Sequence, residues 1–283
     1  MTGASDTLGL IAGQGRLPFM VAAGAKAAGR SVVVVALRGF ADPELRALAD
    51  RWHWSGLLRL GRWIRLLRRA GAAEAVLVGR VRKSTMFDRP RWRQWLTYLP
   101  DWTTIRVWYF ATRDKRNDTL LGAVADAMQR KGITLIDSTR YCPDDLAPAG
   151  VLTRRAPSAA QRADIELGWQ VARRMGELDV GQAVAVRERD IIAVEAIEGT
   201  DAMIRRAGEL ARRGWTLVKV AKPDQDMRFD VPTVGPETIR TLHAAGGRCL
   251  AVEAGKTLII DRAEMLRLAD ELGVAVVGVS AES

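Results

Sequence analysis

An α/β fold is predicted: an N-terminal Rossmann-like parallel-sheet domain followed by a C-terminal mixed α/β domain with hairpins. Three observations predict it. Residues 1–137 alternate short apolar runs with segments of helical periodicity, which is the βαβ order of a doubly wound parallel sheet. Residues 31–37 (SVVVVAL) are apolar and β-branched almost throughout, as a strand covered on both faces requires. Beyond residue 157, helices mix with closely spaced strand pairs, which argues for two domains and against an internal duplication.

In chain order, residues 8–12 (LGLIA) read as a buried strand, and residues 17–28 as a helix with Pro18 near its start. The strand at 31–37 follows. Residues 57–70 repeat Leu60, Ile64 and Leu67 at three- and four-residue spacing, so they read as a helix. Residues 75–78 make a third strand, 120–131 a helix closed by Gly132, and 133–136 a fourth strand. Residues 138–157, with Pro143, Pro148, Gly150 and Pro157, read as a linker or extended connection. The domains are therefore placed at 1–137 and 158–283. Ser158 caps a long helix reaching about residue 175. A hairpin is predicted over 183–186 and 191–196, then a helix over 201–213 and a strand over 216–220. A helix spans 237–245. A second hairpin is predicted over 249–254 and 257–260, turning at Gly255 and Lys256. A helix over 262–272 and a strand over 274–279 complete the chain.

Composition bounds the function. With 48% hydrophobic and 27% charged residues among 283, the chain is globular. Cys142 and Cys249 fit no metal spacing and imply a reducing compartment. The N-terminus lacks the basic region of a signal peptide, and no apolar run approaches the ~20 residues of a membrane span, so a cytoplasmic, soluble chain is expected. A net charge of +10 favours anionic partners. With only His53 and His243 present, a His-rich zinc site is excluded, and a Ser-His-Asp hydrolase is disfavoured.

The most informative stretch follows the strand at 216–220. Lys222, Asp224, Gln225, Asp226, Arg228 and Asp230 fall within nine residues, bracketed by Pro223 and Pro232. Carboxylates suit a hard cation such as Mg²⁺ or Mn²⁺, and Lys and Arg suit phosphate. The alternative is a solvated loop, although a loop that serves solubility alone has no need of two prolines. Gly13, Gln14 and Gly15 join the first strand to its helix, where backbone amides can meet an anion or form a plain tight turn. Pro18 at the third glycine position and Arg38 where an acid belongs disfavour a nicotinamide enzyme. Arg80 and Lys83 follow the third strand and lie at the same end of the sheet, either as phosphate ligands or as a basic turn. Residues 86–116 interleave Trp92, Trp95, Trp102 and Trp108 with arginines. That composition suits an anionic membrane surface, a core or subunit interface, or stacking on single-stranded nucleic acid. Thr200 or Asp201 is expected to cap the helix they open, a role compatible with an anion or metal site.

Residues 8–18 (LGLIAGQGRLP), 198–201 (EGTD) and 222–232 (KPDQDMRFDVP), in this order and over this length, resemble the LpxI family, the UDP-2,3-diacylglucosamine pyrophosphatases of lipid A synthesis. The resemblance implies a homodimer with two domains. It also implies Mg²⁺-dependent cleavage to 2,3-diacylglucosamine 1-phosphate (lipid X) and UMP, with attack at the α-phosphorus. Carried over by residue, it points to Asp226 as the key acid, with Asp230 as a second ligand or base and Asp201 as a further metal ligand. Lys222 and Arg228 would steady the leaving sugar phosphate. Gly13, Gln14, Gly15, Arg80, Lys83, Thr200 and Gln225 would hold substrate. Peripheral association with the anionic inner membrane is expected, and nucleic acid is not an expected partner. The rival reading is a non-catalytic nucleotide- or lipid-binding module at the membrane surface.

Overall fold

Five parallel strands organise the N-terminal half of the computed structural model, which describes residues 6–81, 99–111, 117–223 and 225–280. They are β1 (Thr7–Ala12), β2 (Ser31–Leu37), β3 (Arg51–Ser55), β4 (Glu74–Val78) and β5 (Thr134–Leu135), in the order β3-β2-β1-β4-β5. The order reverses between β1 and β4, so the sheet has its switch point at their carboxyl ends. Helices α1 (Leu17–Ala27), α2 (Leu60–Arg69), α3 (Trp102–Arg106) and α4 (Asn117–Gln129) belong to the same unit. Gly9 lets α2 lie close on β1, since a Cβ there would come within 2.7 Å of Leu67. Alternate residues Val33, Val35 and Leu37 of β2 join Ile11, Leu60, Trp63, Ile64 and Leu67 in one buried cluster. Burying each such side chain stabilises by ~1.5–3 kcal/mol.

Sequence reasoning missed β3. Its sequence, RWHWS, is only half-buried at Trp52, His53 and Trp54, because an edge strand is paired on one side. The rings of Trp52 and Trp54 meet edge to face, with centroids 5.1 Å apart. The strand read as third is therefore β4, and the one read as fourth is β5.

The second unit contains a six-stranded sheet in the order β6-β13-β11-β9-β7-β8. Its strands are β6 (Gly150–Val151), β7 (Ala183–Arg187), β8 (Asp190–Val194), β9 (Thr216–Lys219), β11 (Cys249–Glu253) and β13 (Ala275–Val279). β10 (Thr233–Val234) and β12 (Leu258–Ile259) form a separate parallel pair. Helices α5 (Ala159–Glu177), α6 (Thr200–Ala211), α7 (Pro236–Ala244) and α8 (Arg262–Glu271) complete it. Ser158 caps α5 in a capping box with Gln161. The β7–β8 hairpin forms as predicted. The second predicted hairpin does not. β11 pairs in parallel with β9 and β13, so both its edges are taken, and β12 pairs instead with β10.

Contacts divide the chain into Met1–Cys142 with Asp226–Phe229, and Pro143–Gln225 with Asp230–Ser283. The segment read as a linker carries β6 and a short 3-10 helix, Pro143–Asp145.

Candidate functional site

In the first unit, the carboxyl ends of β1 and β4 are locked together. Gly13 N–H donates to Val78 O at 2.8 Å, Gln14 N–H to Arg80 O at 3.0 Å, and Arg80 N–H to Gln14 O at 2.8 Å. A Cβ on Gly13 would approach the Gly79 carbonyl to 2.9 Å. Gly13 is thus required by the approach of two backbones, and the amides of Gly13 and Gln14 are engaged by protein. Gln14, Gly15 and Arg80 are exposed at this switch point, with Gly15 at φ 110°. Helix α1 starts here with no side-chain cap and no acid in its first turn. Lys83 lies outside the described residues, as do residues 86–98 and 112–116 of the Trp/Arg-rich stretch and Asp224.

Also in the first unit, Asp226 and Arg228 form a forked ion pair. Arg228 Nε donates to both carboxylate oxygens at 2.9 and 3.0 Å, Nη2 to Oδ2 at 2.6 Å, and the Arg228 N–H to Oδ1 at 3.0 Å. These hydrogen bonds hold the Asp226 carboxyl below its ordinary value of 3.8 and raise the Arg228 guanidinium. Two anchors seat the segment. Ser138 Oγ and N–H donate to Met227 O at 2.8 and 3.2 Å, and Phe229 packs on the cluster that contains Trp63.

In the second unit, Gln225 folds back on Lys222. Its Oε1 accepts the Lys222 N–H at 2.8 Å, and its own N–H donates to Lys222 O at 3.1 Å. Gln225 Nε2 donates to Asp230 Oδ2 at 2.7 Å, and the Lys222 ammonium pairs with Asp179. Thr200 does not cap α6, and neither does Asp201. Gly199 occupies the cap position at φ 81°, which suits glycine, and no side chain caps the helix. Thr200 Oγ1 instead donates to Glu195 Oε1 at 2.7 Å and accepts from Lys219 Nζ at 3.3 Å. Asp201 sits exposed in the first turn.

Among the described residues, no group of three or more His, Cys, Asp or Glu is arranged to hold a metal. That does not conflict with the donor chemistry. Mg²⁺ binds through one or two carboxylates together with substrate phosphates and water, and needs no protein cage.

Sequence reasoning passed over Lys219, Glu195, Glu253, Asp179 and Ser138. Two of them had a legible signal. Lys219 and Glu253 are single charges ending otherwise apolar strands, TLVK and CLAVE, and both are buried.

Two family models cover nearly the whole chain: the LpxI N-terminal domain over residues 7–145 and the LpxI C-terminal domain over residues 148–277. The chain is also 36% identical over 284 residues to the UDP-2,3-diacylglucosamine pyrophosphatase LpxI of Caulobacter vibrioides, covering 96% of this chain and 97% of that protein.

Proposed function

The chain belongs to the LpxI family, and from that premise we propose that it hydrolyses the pyrophosphate bond of UDP-2,3-diacylglucosamine in lipid A biosynthesis, releasing lipid X and UMP. The observation that carries this reading is the end-to-end similarity to a protein of that name. In the proposed reaction, water bonds to the α-phosphorus, the bond from that phosphorus to the bridging oxygen breaks, and the sugar phosphate leaves with the electron pair.

Asp226 is the acid we assign to the chemistry. Its lowered pKa keeps it anionic at neutral pH, which suits binding a cation or orienting water better than acting as a base poised near 7. Arg228 fixes its orientation through the fork, a geometry that lysine does not reproduce. Lys222 and Arg228 supply positive charge for the leaving phosphate, and Asp230, oriented by Gln225, is the second acid. Exposed Gln14, Gly15 and Arg80, together with Thr200 and Gln225, are assigned to substrate binding. Mg²⁺, or Mn²⁺ in its place, would neutralise non-bridging phosphate oxygens when bound. Asp226, Asp230 and Asp201 are the acids whose substitution tests that role.

A peripheral membrane role is part of the proposal. Trp102 and Tyr109 are 71% and 74% exposed in the first unit, and Arg62, Arg65, Arg68 and Arg69 are exposed on α2. The starts of α2 and α3 abut, since the Arg62 N–H donates to Asp101 Oδ2 at 3.0 Å. Aromatic rings beside arginines suit an anionic headgroup layer. No helix among the described residues is long and apolar enough to cross a membrane. The homodimer implied by the family resemblance is carried into the proposal, and light scattering checks it.

The deciding assay is incubation with UDP-2,3-diacylglucosamine in ¹⁸O water, with Mg²⁺ and then with EDTA. Labelled UMP, lost with EDTA, is expected. Label in the sugar phosphate would move the site of attack, and absence of turnover would reject the activity.

A further inference from the structure

The segment 222–232 leaves the second unit's six-stranded sheet after β9 and ends at β10 of the separate β10–β12 pair, and a buried charge holds the chain at each end. Glu253, the last residue of β11, is 1% exposed, and its Oε2 accepts the Ala221 N–H at 2.8 Å. Lys219, the last residue of β9, is 7% exposed, and its Nζ donates to Thr233 O at 3.0 Å. The strands are neighbours, with Lys219 in register with Val252, so Lys219 and Glu253 point to opposite faces of the sheet at its carboxyl edge.

These contacts are not needed to build the sheet. β9 and β11 already pair through their backbones, and the rest of both strands is apolar or Thr216. Taking a carboxylate and an ammonium out of water costs several kcal/mol each, and apolar residues of similar volume avoid that cost. What the two charges add is a grip on backbone groups that lie beyond the strands: one N–H where the segment begins and one carbonyl where it ends. Each also has further polar contacts. Glu253 Oε1 lies 2.9 Å from Lys256 Nζ, and Lys219 Nζ reaches Thr200, which is bonded to Glu195.

We infer that Lys219 and Glu253 are positioning residues for the hydrolytic reaction, fixing the two points between which the charged segment 222–232 runs. The inference rests on the activity proposed above. Misplacing a reacting group by an ångström costs on the order of 10²-fold in rate, so a slack anchor should be felt in kcat.

Substitutions separate this role from a general structural one. Glu253→Ala removes the acceptor for Ala221, whereas Glu253→Gln keeps an amide oxygen for it and removes only the charge facing Lys256 and Arg173. Lys219→Met keeps the stem and removes the donor to Thr233. With Glu253→Ala and Lys219→Met, kcat is expected to fall ~10- to 100-fold with KM changed less than ~3-fold, while Glu253→Gln stays near wild type. Amide exchange should accelerate in residues 220–233 and not in the interiors of β9 and β11. Equal losses for Glu253→Gln and Glu253→Ala would overturn the inference in favour of a charge effect. Exchange accelerating through the whole sheet, or unchanged kcat and exchange, would overturn it as well. An inactive wild type would reject the functional reading, and the exchange data would still decide whether these side chains hold the segment.

Discussion

Asp226 is the residue on which the proposed chemistry turns. Replacement by Ala is expected to lower kcat by ~10³-fold or more, the scale of losing one key electrostatic element, while substrate still binds. Steady-state kinetics with a binding measurement check this, and a near-wild-type rate would remove Asp226 from the mechanism. Because Arg228 holds its carboxyl below 3.8, an activity loss that sets in above pH 5 belongs to another group. Gly79 presents a second residue-scale case. At φ 99°, with its Cβ position 2.6 Å from the Gly13 carbonyl carbon, Gly79→Ala should destabilise the first unit by ~2 kcal/mol or more. Thermal unfolding measures it, and an unchanged melting temperature would mean that the β1–β4 junction relaxes freely. The acids and cations of 222–232 were legible as a candidate site in the sequence, because charges clustered between prolines after an apolar strand are unusual. Their division into an Asp226–Arg228 fork and a Gln225–Asp230 pair was not, since it depends on which neighbours each side chain meets.

At the scale of elements, local signals and pairing partners had different fates. The cap at Ser158 is written in adjacent residues and formed as read, with Gln161 completing a capping box. Ser158→Ala should cost about 1 kcal/mol of stability, visible in chemical denaturation of the second unit. β4 starts at Glu74, which accepts hydrogen bonds from Arg30 and Arg140, each at 3.0 Å. Burial alone would raise the Glu74 pKa, but the Arg30 hydrogen bond and the Arg140 charge outweigh it, and it lies below its ordinary 4.5. A depressed folded-state pKa means the contribution is complete above the unfolded value and disappears as pH falls through the folded one. Glu74→Gln should therefore reduce stability at neutral pH and flatten its fall below about pH 4.5. An identical acid limb in the variant would count against the assignment. The second hairpin failed because two apolar runs around Gly255 fit a hairpin locally, while β11 finds better-matched parallel neighbours far away in sequence.

Over the whole molecule, each unit has its own buried core and a buried cysteine, Cys142 in the first and Cys249 in the second. Burial pushes the Cys249 thiol up to about 12, so almost no thiolate exists at pH 8. Labelling by a thiol reagent should therefore require opening of the unit that holds each cysteine, and mass spectrometry of labelled peptides would time the two separately. Immediate reaction of Cys249 in the native protein would contradict its burial. The first unit also includes residues 226–229 from far along the chain, so Phe229→Ala should speed Cys142 labelling more than Cys249 labelling.

The sequence by itself determined the α/β class, the βαβ order of the first half, most helix positions and the family, because these rest on periodicity, caps and ordered motifs that neighbouring residues carry. Tertiary structure alone decided the edge strand β3, the partners of β11 and β12, and the assignment of 226–229 to the first unit. It also decided the burial of Lys219 and Glu253 against the two ends of the charged segment. The physical reason is the same in each case. Which strand edge is vacant, and which backbone N–H or carbonyl a buried charge reaches, depends on residues distant in the chain that only the assembled sheet brings near.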